Sequence, residues 1–114
     1  MRIDINGYAV EFSDCMEVCQ GGPQACLMSI DDWALEKQKF DPSPLPFEGK
    51  LLVPMRKIGF FKSGYILVQI DPKTRIIKSL SKTHDYMRLC LVDGRSIQFA
   101  TTPWGSETAW LTLP

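Results

Sequence analysis

The chain lacks an excess of charge of either sign: 13 lysines and arginines balance 13 acidic residues. A dedicated DNA or RNA binder carries surplus positive charge, so a nucleic-acid partner is not expected. No apolar run reaches 18 residues, and no helical membrane span is expected. Behind Met1 there is no apolar leader but Arg2, Asp4 and Asn6, and Leu113-Pro114 matches no lipidation signal. These features predict a cytoplasmic location, with Cys15, Cys19, Cys26 and Cys90 reduced. Histidine is down to His84, so any imidazole base must be that residue. The chain has no G-x-G-x-x-G, G-x-S-x-G, H-E-x-x-H or EF-hand pattern, and no cofactor is expected.

What is present is ordinary for a globular chain. At 114 residues, with 45% hydrophobic and 23% charged residues, the composition excludes disordered and fibrous classes and predicts one domain. The neutral total hides an asymmetry. Residues 1–48 hold nine acids against three bases, and residues 49–114 hold ten bases against four acids. Two halves packed together with their charges intermixed explain this more simply than a polarised surface facing a charged partner.

Two dipeptides, Asn6-Gly7 and Asp93-Gly94, read as hairpin turns flanked by strand-like runs. A type I′ turn at Asn6-Gly7 sets Ile5 opposite Tyr8, Asp4 opposite Ala9, Ile3 opposite Val10 and Arg2 opposite Glu11. Ile3, Ile5, Tyr8, Val10 and Phe12 then share one face, and Arg2 and Glu11 form a cross-strand ion pair. Residues 13–19 are read as a short helical turn or a strand running past a kink, followed by a loop at Gln20-Gly21-Gly22-Pro23. Ala25 to Ile30 reads as a strand. Asp31-Asp32 ahead of Trp33 to Lys39 predicts a short helix, with acids early and lysines late.

Pro42, Pro44 and Pro46 make residues 41–48 an extended connector, pinned at its ends by Phe40 and Phe47. From Lys50 the chain reads as an antiparallel meander to residue 113. Its strands are 50–54, 57–61, 65–70, 75–80, 86–92, 95–100 and 107–113, with turn signals such as Ser63-Gly64 between them. Tyr65 to Ile70 has almost no polar face and is predicted to be covered on both sides, and Tyr86 to Val92 resembles it. The fold class expected is therefore mainly β: a single-domain antiparallel sandwich or partly open barrel of about eight or nine short strands, with one short helix near residues 31–39. Its parts are an N-terminal hairpin (1–12), a loop and short helix (13–40), the connector (41–48) and the meander (50–113).

Cys15-x3-Cys19-x6-Cys26, completed by Cys90 or His84, could supply four zinc ligands, but no C-x2-C pair is present, and packed cysteines fit better. A cysteine paired with His84 would be a nucleophile and its base; hairpin residues 81–85 explain His84 equally well. Gly21-Gly22-Pro23 lacks the order of a phosphate loop. The basic residues of the second half, with Phe60, Phe61 and Tyr65 as stacking platforms, are spread over both strand faces.

The aromatic residues carry the sharper expectation. Trp104 lies in a turn-rich stretch, and Trp110 points outward if Ala109, Leu111 and Leu113 point to the core; a central last strand would bury it instead. The leading expectation is a small cytoplasmic non-enzymatic interaction module of accessory, inhibitor or immunity type. Trp104 and Trp110 would meet a protein partner or a second copy in a homodimer. The alternative is a small-molecule-binding barrel whose cavity is lined by Tyr8, Phe12, Phe60, Tyr65 and Phe99. The third is an enzyme using His84 and a cysteine.

Overall fold

Alternating apolar residues and short turn dipeptides produce an all-antiparallel β fold. The structure, a computed structural model, describes residues 1–17, 24–59 and 63–114. The strands are β1 (Arg2–Ile5), β2 (Tyr8–Glu17), β3 (Gln24–Ile30), β4 (Trp33–Phe40), β5 (Leu45–Phe47), β6 (Lys50–Ile58), β7 (Ser63–Asp71), β8 (Ile76–Ser79), β9 (Arg88–Asp93), β10 (Ser96–Ala100) and β11 (Thr108–Thr112). The larger sheet runs β1-β2-β3-β4-β6-β7-β8, with β5 alongside β6; the smaller one runs β11-β10-β9. Among the described residues no helix is long and apolar enough to cross a membrane.

The first hairpin has the expected register, Ile5 opposite Tyr8 through Arg2 opposite Glu11. Asn6 and Gly7 take φ of 52° and 81°, as a type I′ turn requires. The expected Arg2–Glu11 ion pair is corrected: Arg2 Nε turns along its own strand to Asp4, at 3.4 Å. The second hairpin is offset by one residue. Asp93 pairs with Ser96, so the two-residue loop is Gly94-Arg95, with glycine first at φ 61°, the position a type II′ turn reserves for it.

The helix predicted at 31–39 is a strand. Ile30 pairs with Trp33 and Met28 with Leu35 around a two-residue loop, Asp31-Asp32, whose Asp31 takes φ 53°. Asp31 Oδ1 accepts from the Ala9 amide at 2.9 Å, and the Asp31 amide donates to the Ala9 carbonyl at 2.8 Å. The loop is thus docked on β2, and burial of Leu35 and Phe40 overrides the intrinsic helix preference of Ala34 to Lys39. Other boundaries shift as well. Strand β2 runs through residues 13–17, kinked by a bulge where Asp14 (φ 49°) and Cys15 face Cys26. The connector contains the short strand β5, and residues 50–58 form one strand rather than two. Ser63-Gly64 opens β7 instead of turning the chain. The expected loop at 20–23 and the end of the expected strand 57–61, residues 60 and 61, lie outside the described residues.

Two apolar cores share the β6–β7 hairpin. On one face Leu51, Val53, Ile66, Val68 and Ile70 meet Ile5, Val10, Phe12, Met28, Ile30, Leu35 and Phe40. On the other, Leu52, Tyr65 and Leu67 meet Phe47, Tyr86, Met87, Leu89, Ile97, Phe99 and Leu113. Burial on both faces is why Tyr65 to Ile70 carries no polar alternation. Within 86–92, Tyr86 and Met87 are both buried, but β9 is covered on one face only: Leu89 is buried and Leu91 stands 42% exposed. The connector crosses between the cores, with Phe40 buried in one and Phe47 in the other.

The larger sheet curls so that turns far apart in the chain meet: Asn6 Nδ2 donates to the Lys50 carbonyl at 3.2 Å, and Arg75 reaches Asp32 at 3.4 Å. Arg75–Asp32, Arg88–Asp41 and Arg95–Glu48 each join a base of the second half to an acid of the first. The sequence charge asymmetry is thus intermixed by packing.

Candidate functional site

Two places concentrate polar or aromatic chemistry: a buried carboxylate between the cores, and the free margin of the smaller sheet. Asp41 ends β4's run into the connector and is fully buried. Its amide donates to the Pro54 carbonyl at 3.0 Å. Ser43 Oγ donates to Asp41 Oδ2 at 2.6 Å and accepts from the Leu89 amide at 3.1 Å, tying the connector to β9. Arg88 Nε lies 3.9 Å from Oδ2, and Oδ1 has no hydrogen-bond partner among the described residues.

Burial pushes the Asp41 carboxyl up to about 6, against the lowering influence of Ser43 and Arg88. Burial also pushes the nearby Tyr65 phenol up to about 12, with the charge of Asp41 second, and raises Tyr86 for the same two reasons. Tyr65 and Tyr86 meet edge to face, ring centres 5.9 Å apart, and the Tyr86 hydroxyl also lacks a partner among the described residues. A substrate needs access, and Asp41, Tyr65 and Tyr86 are all buried. The cluster therefore acts as an internal clasp between connector, β7 and β9.

The sheet margin is open. Trp104, in the β10–β11 connection, is 75% exposed, and Trp110, in the middle of β11, is 54% exposed. Ala109 and Leu111 pack against the second core and Leu113 is buried in it, which turns Trp110 outward. Across the outer face Trp110 lies opposite Gln98, and Gln98 opposite Leu91, so two exposed apolar side chains flank one amide.

Of the described edge strands, β1 carries Arg2 and Asp4, β5 carries Pro46, β8 carries Lys78, and β9 carries Arg88, Asp93 and a bulge at Cys90. Each of these features discourages another strand from pairing. The fifth, β11, reads Thr-Ala-Trp-Leu-Thr and carries neither charge, proline nor bulge.

The other sequence candidates do not converge. Phe12 and Tyr8 belong to the first core, and Tyr65 and Phe99 to the second, with β6–β7 between them; Phe60 lies outside the described residues. These four line no shared cavity. Cys15 and Cys26 are joined in a disulfide, which corrects the expectation that they are reduced and takes both from any metal set. The physical reason is the β2 bulge, which sets Cys15 against Cys26. Cys19 lies outside the described residues, and Cys90 is exposed.

His84 pairs its backbone with Tyr65, and its ring meets Phe99 edge to face at 5.1 Å between centres. Among the described residues no group of three or more His, Cys, Asp or Glu side chains could hold a metal ion. No family model, curated protein or solved structure matches the chain.

The Asp41 clasp was missed in the sequence. Asp41-Pro42-Ser43 signals a turn, but nothing local announces that its carboxylate is enclosed by β7 and β9. Whether the last strand is an open edge was left undecided for a related reason: strand order is not written in any single strand.

Proposed function

We propose that this protein is a non-enzymatic interaction module that takes an extended polypeptide segment as an added strand along β11. Trp110 and Trp104 serve as its aromatic anchors. The observation that carries this reading is the contrast between β11 and the other described edges: it alone is neutral, regular and free of proline, and it carries an outward tryptophan. Main-chain pairing along such an edge supplies affinity, and the tryptophans supply specificity.

The test is a photo-activatable amino acid placed at Thr112 in the producing cell, with the adducts identified by mass spectrometry. Adducts to a discrete polypeptide support the reading, provided they disappear when Thr108→Pro is added. An absence of polypeptide adducts in the otherwise folded protein would overturn it.

A further inference from the structure

Resting on that reading, we propose that the added strand is β11 of a second copy, paired antiparallel about a two-fold axis through Trp110. The ladder within the subunit decides which backbone groups are free. The Leu113 amide donates to the Arg95 carbonyl at 2.7 Å, and the Thr101 amide to the Glu107 carbonyl at 2.9 Å. Hydrogen-bonded pairs alternate in an antiparallel ladder, and the β10–β11 register is unbroken. Residues 109 and 111 therefore bond inward to β10, while the N–H and C=O groups of Thr108, Trp110 and Thr112 point out along the open edge. Pro114, next in the same series, has no N–H, which ends the edge.

These three outward residues are symmetric about Trp110. In the two-fold arrangement Trp110 meets Trp110 of the partner subunit, and Thr108 meets the partner's Thr112, each as a hydrogen-bonded pair. Every outward group of the strand then finds a mate. Threonine opposite threonine and aromatic opposite aromatic are favourable cross-strand pairs. No like charges are brought together. Glu107 falls in the row that continues through the partner's Leu113 to the partner's Arg95, so opposite charges stand at both ends of the seam, since Leu113 is bonded to Arg95 within each subunit. Two-fold pairing at β8 would instead bring lysines together. The product is a continuous six-stranded sheet whose outer face carries both tryptophans and both copies of Leu91.

Site-directed crosslinking tests the register in a Cys19→Ser, Cys90→Ser background, which leaves only the Cys15–Cys26 disulfide. Paired residues of this type lie about 5.5 Å apart at Cα, which suits a disulfide. Trp110→Cys alone should crosslink to itself on mild oxidation. Thr108→Cys alone should remain uncrosslinked, and so should Thr112→Cys alone, whereas the mixture of the two should form a mixed dimer. Sedimentation of the unmodified full chain should show a dimer that dissociates on dilution. Thr112→Pro removes only an outward N–H and should give a folded monomer by sedimentation and circular dichroism.

A full-length chain that stays monomeric to millimolar concentration overturns the proposal, as does self-crosslinking of Thr108→Cys. If that monomer still yields in-cell adducts at Thr112 to a different polypeptide, the two-fold pairing fails while the strand-accepting edge stands. If it yields none, both fail.

Discussion

Protonating Asp41 should stabilise this fold, and the effect should appear between about pH 4 and pH 7. The carboxyl has no exposed surface, one strong donor in Ser43, and only a distant Arg88 as counter-charge. Its value rises from an ordinary 3.8 to about 6. Because the folded value lies above the unfolded one, the native state keeps this proton where the unfolded chain has lost it. The stabilisation is complete below pH 3.8 and is lost as pH rises through about 6. A difference of that size corresponds to about 3 kcal/mol, or about 10 °C in Tm for a chain of this length.

Asp41→Asn imitates the protonated form, and its amide oxygen can still accept from Ser43. Urea unfolding of both proteins from pH 4 to pH 7.5 separates this group from the other carboxylates, which titrate alike in the two. The variant should match the parent near pH 4 and exceed it by up to about 3 kcal/mol at pH 7.5. Parallel profiles across the range would refute the reasoning. So would a 13C-labelled Asp41 carboxyl that titrates near 4.

Three further outcomes follow from packing. A Cβ at Gly64 would press into the His84 carbonyl oxygen and lie 2.8 Å from Thr83 Cγ2, so Gly64→Ala should cost about 1–3 kcal/mol in urea unfolding, through overpacking of the Tyr65–His84 bridge. Cys15→Ala with Cys26→Ala opens a link spanning 11 positions, and loop-closure entropy puts the loss at roughly 3 kcal/mol; a reductant should lower the Tm of the parent but not of the variant. Leu67→Ala, at a fully buried position in the second core, should cost about 2–5 kcal/mol, whereas Leu91→Ala on the open face should change stability by about 0.5 kcal/mol or less.

Much of the strand content was legible because local chemistry is enough for it. Asn6-Gly7 set a register that holds through four pairs, and the unbroken apolar run Tyr65 to Ile70 announced a strand with two covered faces. The failures are equally local in origin. Trp33 to Lys39 has helical composition, yet the Asp31-Asp32 turn docks it on β3, where Leu35 and Phe40 find a core. Gly64 looked like a turn residue; its lack of a side chain serves the close passage of residues 83–84 instead. Four of the five aromatics grouped as a cavity lining were apolar for two separate cores.

By itself the sequence determined that this is an antiparallel β protein and where its first hairpin bends; it left open which side of the last strand faces the core. Alternation and turn chemistry act over two to four residues, so they can be read there. Only tertiary structure decided that the meander splits into two sheets, that Asp41 is enclosed, that Cys15 faces Cys26, and that β11 is an edge. Each of these depends on which strands become neighbours, and that choice is made by burying both faces of β6–β7 at once, a balance over the whole chain that no short segment records.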